Sequence, residues 1–203
     1  MVLSIDRIAR ALADAPAPWT YDGEVRWSAV VAMILREREG AVEVLVIRRA
    51  ERPGDRWSGH AALPGGKVDP GDGSLEDTAV RETLEEVGLD LRALGARTLG
   101  RLNDHPERGE RGWAKFTVVP MVFAIEGDPA LTLDAREVAE AMWVPLVEVQ
   151  RTRTTMLWWY RPVKALPVKV PLRLPKWEWQ GLTIWGLTYG MLSELLRRAE
   201  ARG

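Results

Sequence analysis

The 203-residue chain contains no cysteine. Disulfide frameworks, thiolate zinc sites and cysteine nucleophiles are therefore excluded, and the composition suits a reducing cytoplasm. Histidine occurs only twice, at His60 and His105, with no spacing that makes a metal pair, and no serine, histidine and acid set stands out. Long apolar runs are missing too. No stretch approaches the ~20 apolar residues of a membrane span. The first fifteen residues mix Asp6, Arg7, Arg10 and Asp14 into their apolar positions, unlike the core of a signal peptide. Charge of one sign is not in excess: a formal net charge of -1 gives no electrostatic reason to expect nucleic acid or an anionic membrane as partner. What is present is 46% hydrophobic and 28% charged residues, an ordinary globular balance in a chain long enough to bury one core without staples. The expectation is a single domain over residues 1–203, cytoplasmic, with a small-molecule partner and with a homodimer left open.

Apolar residues at Leu3, Ile5, Ile8, Ala9, Leu12 and Ala13 recur at helical spacing behind Ser4 as N-cap, and Pro16 and Pro18 stop the pattern. A leading helix is expected over about residues 4–15. Segments 25–35 and 42–47 are rich in valine and isoleucine around a polar turn, residues 36–40, and read as a hairpin. Gly, Pro and Asp dominate residues 53–73 as loop chemistry. A helix over 75–87 follows, introduced by Ser74 with Asp77 as a capping box and closed by Gly88, where a left-handed residue is wanted. Further strands are expected at 97–102, 116–125 and 141–145, a surface crossing at 162–175, and a closing helix at about 182–199. This uneven alternation points to an α/β or α+β sandwich with a mixed sheet.

Glu82, Glu85 and Glu86 stand at i, i+3 and i+4 of the expected helix, which brings three carboxylates to one face. Like charges packed this way repel. Glu76 and Asp77 add negative charge a turn earlier, and only Arg81 is near enough in sequence to offset it. A glutamate-rich helix is more often a solvated face, and that reading stands beside the sharper one. In the sharper one a hard cation, Mg2+ or Mn2+, neutralises the cluster and takes its remaining ligands from substrate phosphates. Pro64, Gly65 and Gly66 precede the helix and let backbone come close to a metal or a phosphate.

Pro64-Gly65-Gly66, a spacer, then Arg81-Glu82-x-x-Glu85-Glu86-x-Gly88-Leu89 resembles the Nudix box. Counted from Gly66, the first acidic position falls on Asp72 instead of glutamate, the spacer from there to Arg81 is eight residues instead of seven, and Thr83 replaces an apolar residue. The resemblance implies a Nudix α/β/α sandwich. It implies metal ligation by Glu82, Glu85, Glu86 and the Gly65 carbonyl, with Glu85, Glu86 and Arg81 in the catalytic machinery and Arg81 orienting the glutamates. It also implies a further carboxylate before a tryptophan-bearing strand, acting as ligand or general base. Glu137, six residues before Trp143, is the candidate; Asp104, Glu107 and Glu110 compete for the role.

Two stretches, residues 56–69 and 181–188, resemble the coenzyme A pyrophosphatase branch of the family. They suggest Arg52, Arg56, His60, Gly66 and Trp185 as substrate-binding residues. Departures from the branch pattern, among them Leu63 for phenylalanine and Asp55 for arginine, leave other diphosphates such as ADP-ribose or a dinucleotide in play. A silent ligand-binding module of the same fold is the third reading. Trp158, Trp159, Trp177, Trp179 and Trp185 could stack a base, line a groove for an acyl or isoprenoid tail, or fill the core.

Overall fold

The computed structural model describes residues 3–13, 28–55, 57–108, 114–160 and 170–201. The hairpin forms where valine and isoleucine are densest: β1 (Ser28–Arg38) and β2 (Ala41–Arg49) pair antiparallel, with Leu35 opposite Val44 and Arg38 opposite Ala41. Its turn is tighter than residues 36–40. Only Glu39 and Gly40 lie between the strands, both with positive φ, 51° and 78°, the two-residue geometry that matches strand twist. Arg36, expected in the turn, is a buried strand residue. Its guanidinium is paired with Glu43 at 2.7 Å and with Asp128, and lies 4.1 Å from the Trp143 ring centre, so the charge is buried only together with its partners. Residues 25–27 fall outside the described residues.

The other elements are α1 (Ile5–Leu12), β3 (Ala61–Ala62), β4 (Gly65–Lys67), α2 (Leu75–Val87), β5 (Arg97–Arg101), β6 (His105–Arg108), β7 (Ala114–Ala124), β8 (Val138–Pro145), α3 (Leu146–Arg151), β9 (Thr154–Tyr160), β10 (Val170–Trp179), β11 (Leu182–Trp185) and α4 (Gly186–Ala201). The main sheet runs β3-β2-β1-β7-β5, with β4 added to β1, β6 to β7 and β8 to β2. β1 and β7 are parallel while the other pairs are antiparallel, so the sheet is mixed. Strand alternation divides its side chains between two layers. Val30, Ala32 and Ile34 pack with Ala79, Val80 and Val87 of α2. Met33 and Leu35 pack on the other side with Ile8 of α1 and Leu192 and Leu195 of α4. This is the α/β/α sandwich.

Several boundaries differ from expectation, β8 starting at Val138 rather than at residue 141 and β7 spanning Ala114–Ala124 rather than 116–125 among them. Helix α1 ends at Leu12, with Ala13 as C-cap, and residues 14 and 15 lie outside the described residues. The closing helix does not start at residue 182. Leu182 and Ile184 are buried while Thr183 and Trp185 are not, a two-residue period that makes a strand, and the helix begins only at Gly186. The crossing at 162–175 is in part a strand, because residues 170–175 belong to β10, the middle of a small antiparallel sheet ordered β11-β10-β9. Over that stretch β10 pairs with β9 alone, its register with β11 beginning at Lys176, and one-sided pairing tolerates Pro171 and Pro175. Among the described residues no helix is long and apolar enough to cross a membrane.

Candidate active site

Helix α2 holds its place through marked ends and one apolar face. Ser74 Oγ accepts the Asp77 N–H at 3.1 Å, and Gly88 closes the helix at φ 71°, where an added Cβ would lie 2.8 Å from the Thr132 side chain. Thr83 is fully buried at the departure from the box pattern. Its hydroxyl donates to the Ala79 carbonyl at 2.7 Å, which satisfies the extra polar atom inside the turn. The three glutamates are not equivalent. At about 100° per residue Glu86 and Glu85 fall on either side of Glu82, so Glu86 is buried at 2% exposure, Glu82 is nearly so, and the Glu85 side chain stands out at 57%.

Arg81 is the hub of the loop-to-helix junction. Its Nε and Nη2 each donate to Asp72 at 3.0 Å, and Nη2 also reaches the Lys67 carbonyl at 3.1 Å. Nη1 reaches Glu82 at 2.9 Å and Glu85 at 3.2 Å. Asp72, whose role the spacing left open, thus clamps the guanidinium in two-pronged geometry and also accepts from Thr78 Oγ1 at 2.8 Å and from the Asp69 N–H at 2.9 Å. Arg81 holds the Asp72 carboxyl far below the usual carboxylate range, helped by Asp69 and Thr78. Arg81 therefore orients Glu82 and Glu85 only. Glu86 is held by the Gly65 N–H, which donates to it at 2.9 Å.

Both glycines are dictated by crowding. A Cβ on Gly65 would meet the Val30 carbonyl oxygen at 2.2 Å, and one on Gly66 would meet the Glu82 carboxylate at 2.3 Å. β4 therefore lies flush between β1 and the glutamates. Burial pushes the Glu86 carboxyl up to about 7, against the Gly65 hydrogen bond and with the charges of Glu82 and Glu137 adding to the rise. Burial also raises Glu82, opposed by Arg81 and reinforced by Glu85 and Glu137.

Glu137 reaches this cluster because the chain after α2 folds back on the helix end. The N–H groups of Thr132 and Asp134 donate to the carbonyls of Val87 and Glu86, both at 3.0 Å, and the Glu137 N–H then donates to Asp134 at 2.8 Å. Arg52 fastens this turn. It bonds the Arg136 carbonyl and pairs with Glu137 at 3.2 Å. Arg49 was not singled out from sequence. It pairs with Asp55 at 3.0 Å, its charge favours ionised Glu86, and its N–H donates to the His60 carbonyl at 3.0 Å. Only the run of arginines at 48–49 hinted at it. Burial draws the His60 imidazole below its usual value, with Asp55 and Arg49 pulling in opposite senses, and its ring meets Trp185 at 4.9 Å and 64°.

The other candidates separate. Asp104 is paired with Arg101 at 2.9 Å, and next to it His105 lies 3.4 Å from the buried Glu194 of α4, on the sheet layer away from α2. Arg56 and Glu110 lie outside the described residues, as does the Glu107 side chain. Among the described residues no three acidic or histidine side chains form a ready-made cage for a metal; Glu82 leans on Arg81 and Glu86 on Gly65. The donor set nevertheless fits a hard divalent cation. It offers carboxylate oxygens that raise one another's proton affinity against a backbone too close-packed for any side chain.

A family model described as the NUDIX domain matches residues 25–166. The chain belongs to the Nudix family. Nudix hydrolases act on diphosphate bonds with divalent cations, and this chain is a pyrophosphohydrolase of that family. It is 33% identical over 171 residues to the uncharacterized Nudix hydrolase NudL of Cronobacter sakazakii, covering 79% of this chain and 82% of that one. It is 34% identical over 128 residues to the mitochondrial coenzyme A diphosphatase NUDT8 of Homo sapiens, covering 62% of this chain and 51% of the human protein. A 43% match over 109 residues to a Schizosaccharomyces pombe protein spans 52% of this chain and 32% of that protein. Among solved structures, the Nudix hydrolase RenU from M. smegmatis is 25% identical with a TM-score of 0.51, over 62% of this chain and 74% of that one.

Proposed function

We propose that this Nudix enzyme hydrolyses the diphosphate of coenzyme A or an acyl-coenzyme A, with Mg2+ or Mn2+ as cofactor. One observation carries the reading: the two stretches that resemble the coenzyme A branch lie against each other beside the glutamates. His60 meets Trp185 as described, and the buried Thr188 hydroxyl donates to the Ala61 carbonyl at 3.0 Å. The similarity to the human coenzyme A diphosphatase supports the same choice.

Glu82, Glu85, Glu86 and the Gly65 carbonyl would hold the cations. Bound there, they supply Lewis-acid activation of the phosphoryl group and charge neutralisation. Arg81 holds Glu82, which lies against Gly66, and also binds Glu85. Glu137, paired with Arg52 at 3.2 Å, takes the proton of the attacking water as the water oxygen bonds phosphorus and the anhydride P–O bond breaks. Gly66, whose missing side chain makes room for Glu82, offers its backbone to the phosphates, while His60 and Trp185 present rings to the rest of the substrate. Arg56 has its substrate role on sequence grounds alone.

A second reading, hydrolysis of ADP-ribose or a dinucleotide, is favoured by Arg52, which is committed to Arg136 and Glu137 rather than turned to a substrate. Incubating the protein and either metal with coenzyme A, decanoyl-coenzyme A, ADP-ribose and diadenosine substrates, with products read by mass spectrometry, separates them. Adenosine 3',5'-bisphosphate with a phosphopantetheine is the expected pair. Turnover of ADP-ribose alone would replace the first reading by the second, and binding without turnover would leave the silent module.

A further inference from the structure

The small sheet presents two different faces. Trp177 stands opposite Ile184, and both are buried in the core with Leu182 and α4. Alternation puts the even-numbered residues of β10 on the other face. There Trp158 stands opposite Leu172 and Lys176 opposite Trp185. This second face is apolar and open: Trp158 and Leu172 are each 40% exposed and Val170 is 39% exposed. It is also continuous with the active site. His60 meets Trp185 at 4.9 Å, and Trp185 meets Trp158 at 4.7 Å and 39°.

We infer that this face of the β9-β10-β11 sheet is a second subsite, which takes the apolar acyl arm of a substrate whose diphosphate lies at the glutamates. The inference rests on the coenzyme A reading and adds a preference for the acylated form. A contiguous exposed apolar stripe marks a binding surface, and its chemistry identifies the occupant. The stripe starts at His60, whose carbonyl is bonded to Arg49, and continues through Trp185 and Trp158 to Leu172. Its charged neighbour Lys176 is already paired with Glu178, so a polar arm finds little to bond, whereas an alkyl chain and the stripe desolvate each other. Leu157 and Trp159, also exposed, alternate onto the opposite side and take no part. The acyl thioester stays intact and leaves on the phosphopantetheine product.

The test compares kcat/KM for coenzyme A and decanoyl-coenzyme A, with Mg2+, in the full chain and in Trp158→Ala and Leu172→Ser. Circular dichroism checks the fold of each variant. The wild type should favour the decanoyl ester about tenfold, and both variants should lose that preference through a higher KM for the ester, with coenzyme A itself unaffected. Equal rates for the two substrates in the wild type, or a preference that survives both variants, would overturn the subsite while leaving the coenzyme A reading intact. Turnover of ADP-ribose with neither coenzyme A compound cleaved would overturn both. A dimer in light scattering that Trp158→Ala dissociates, with both substrates slowed alike, would make the face a subunit contact and overturn the subsite.

Discussion

Replacing Glu86 by glutamine separates the cost of burying a carboxylate from the benefit of a bound cation. In metal-free protein, burial first and then the charges of Glu82 and Glu137 hold the Glu86 carboxyl at about 7, whereas an unperturbed glutamate stands at 4.5. The folded form keeps a proton that the unfolded chain releases between those values. The group's contribution to stability is therefore fully present below pH 4.5, erodes as the pH rises, and is gone above pH 7. The difference amounts to about 3 kcal/mol against the charged form. Glu86→Gln keeps the shape and an oxygen for the Gly65 N–H, but it has no charge to bury. In EDTA its melting temperature should match the wild type near pH 4.5 and exceed it by roughly 6–12 °C at pH 8. Added Mg2+ at pH 8 should then raise the wild type and leave the variant unmoved. Scanning fluorimetry across this range is the assay. A gap independent of pH, or a variant less stable than wild type in EDTA at pH 8, would refute the reasoning.

Under saturating Mg2+, Glu85→Gln and Glu86→Gln should each lower kcat/KM by about 100-fold or more with the fold retained, which steady-state kinetics checks. Glu137→Gln should cost about 10²–10⁴-fold in kcat if it is the base, while Asp104→Asn, on the far layer, should leave the rate unchanged. Gly66→Ala should lower activity while the protein still melts cooperatively, because its Cβ would displace the Glu82 carboxylate from 2.3 Å. Gly65→Ala, whose Cβ would strike the Val30 backbone at 2.2 Å, should instead unfold the protein or give it in insoluble form, which expression and circular dichroism distinguish.

The parts legible in the sequence are those written in local chemistry. Helix α2 runs from residue 75 to 87 as its caps Ser74 and Gly88 indicated, since both signals act within one turn. The glutamate pattern likewise marked one helix face, but spacing alone hid that burial divides Glu86 from Glu85. Strands β3 and β4 span two and three residues, too few to show a period, and exist because β2 and β1 offer them edges. The parallel pairing of β1 with β7 depends on a crossover that no local pattern encodes. The Asp72 clamp on Arg81 joins a loop to a helix across nine residues, so spacing could mark the acid without revealing its partner. The tryptophans of β9 and β10 gave no clear period because the two faces of that sheet are both largely apolar.

The stretch that matches the family model stops at residue 166, yet Trp177, Leu182, Ile184, Leu192 and Leu195 share one apolar interior with Met33 and Val44. The family model and mechanical self-sufficiency therefore end at different points along this polypeptide. A fragment trimmed to the part the family model covers would carry every proposed catalytic glutamate and still present a raw, greasy flank to water, and it should precipitate rather than work.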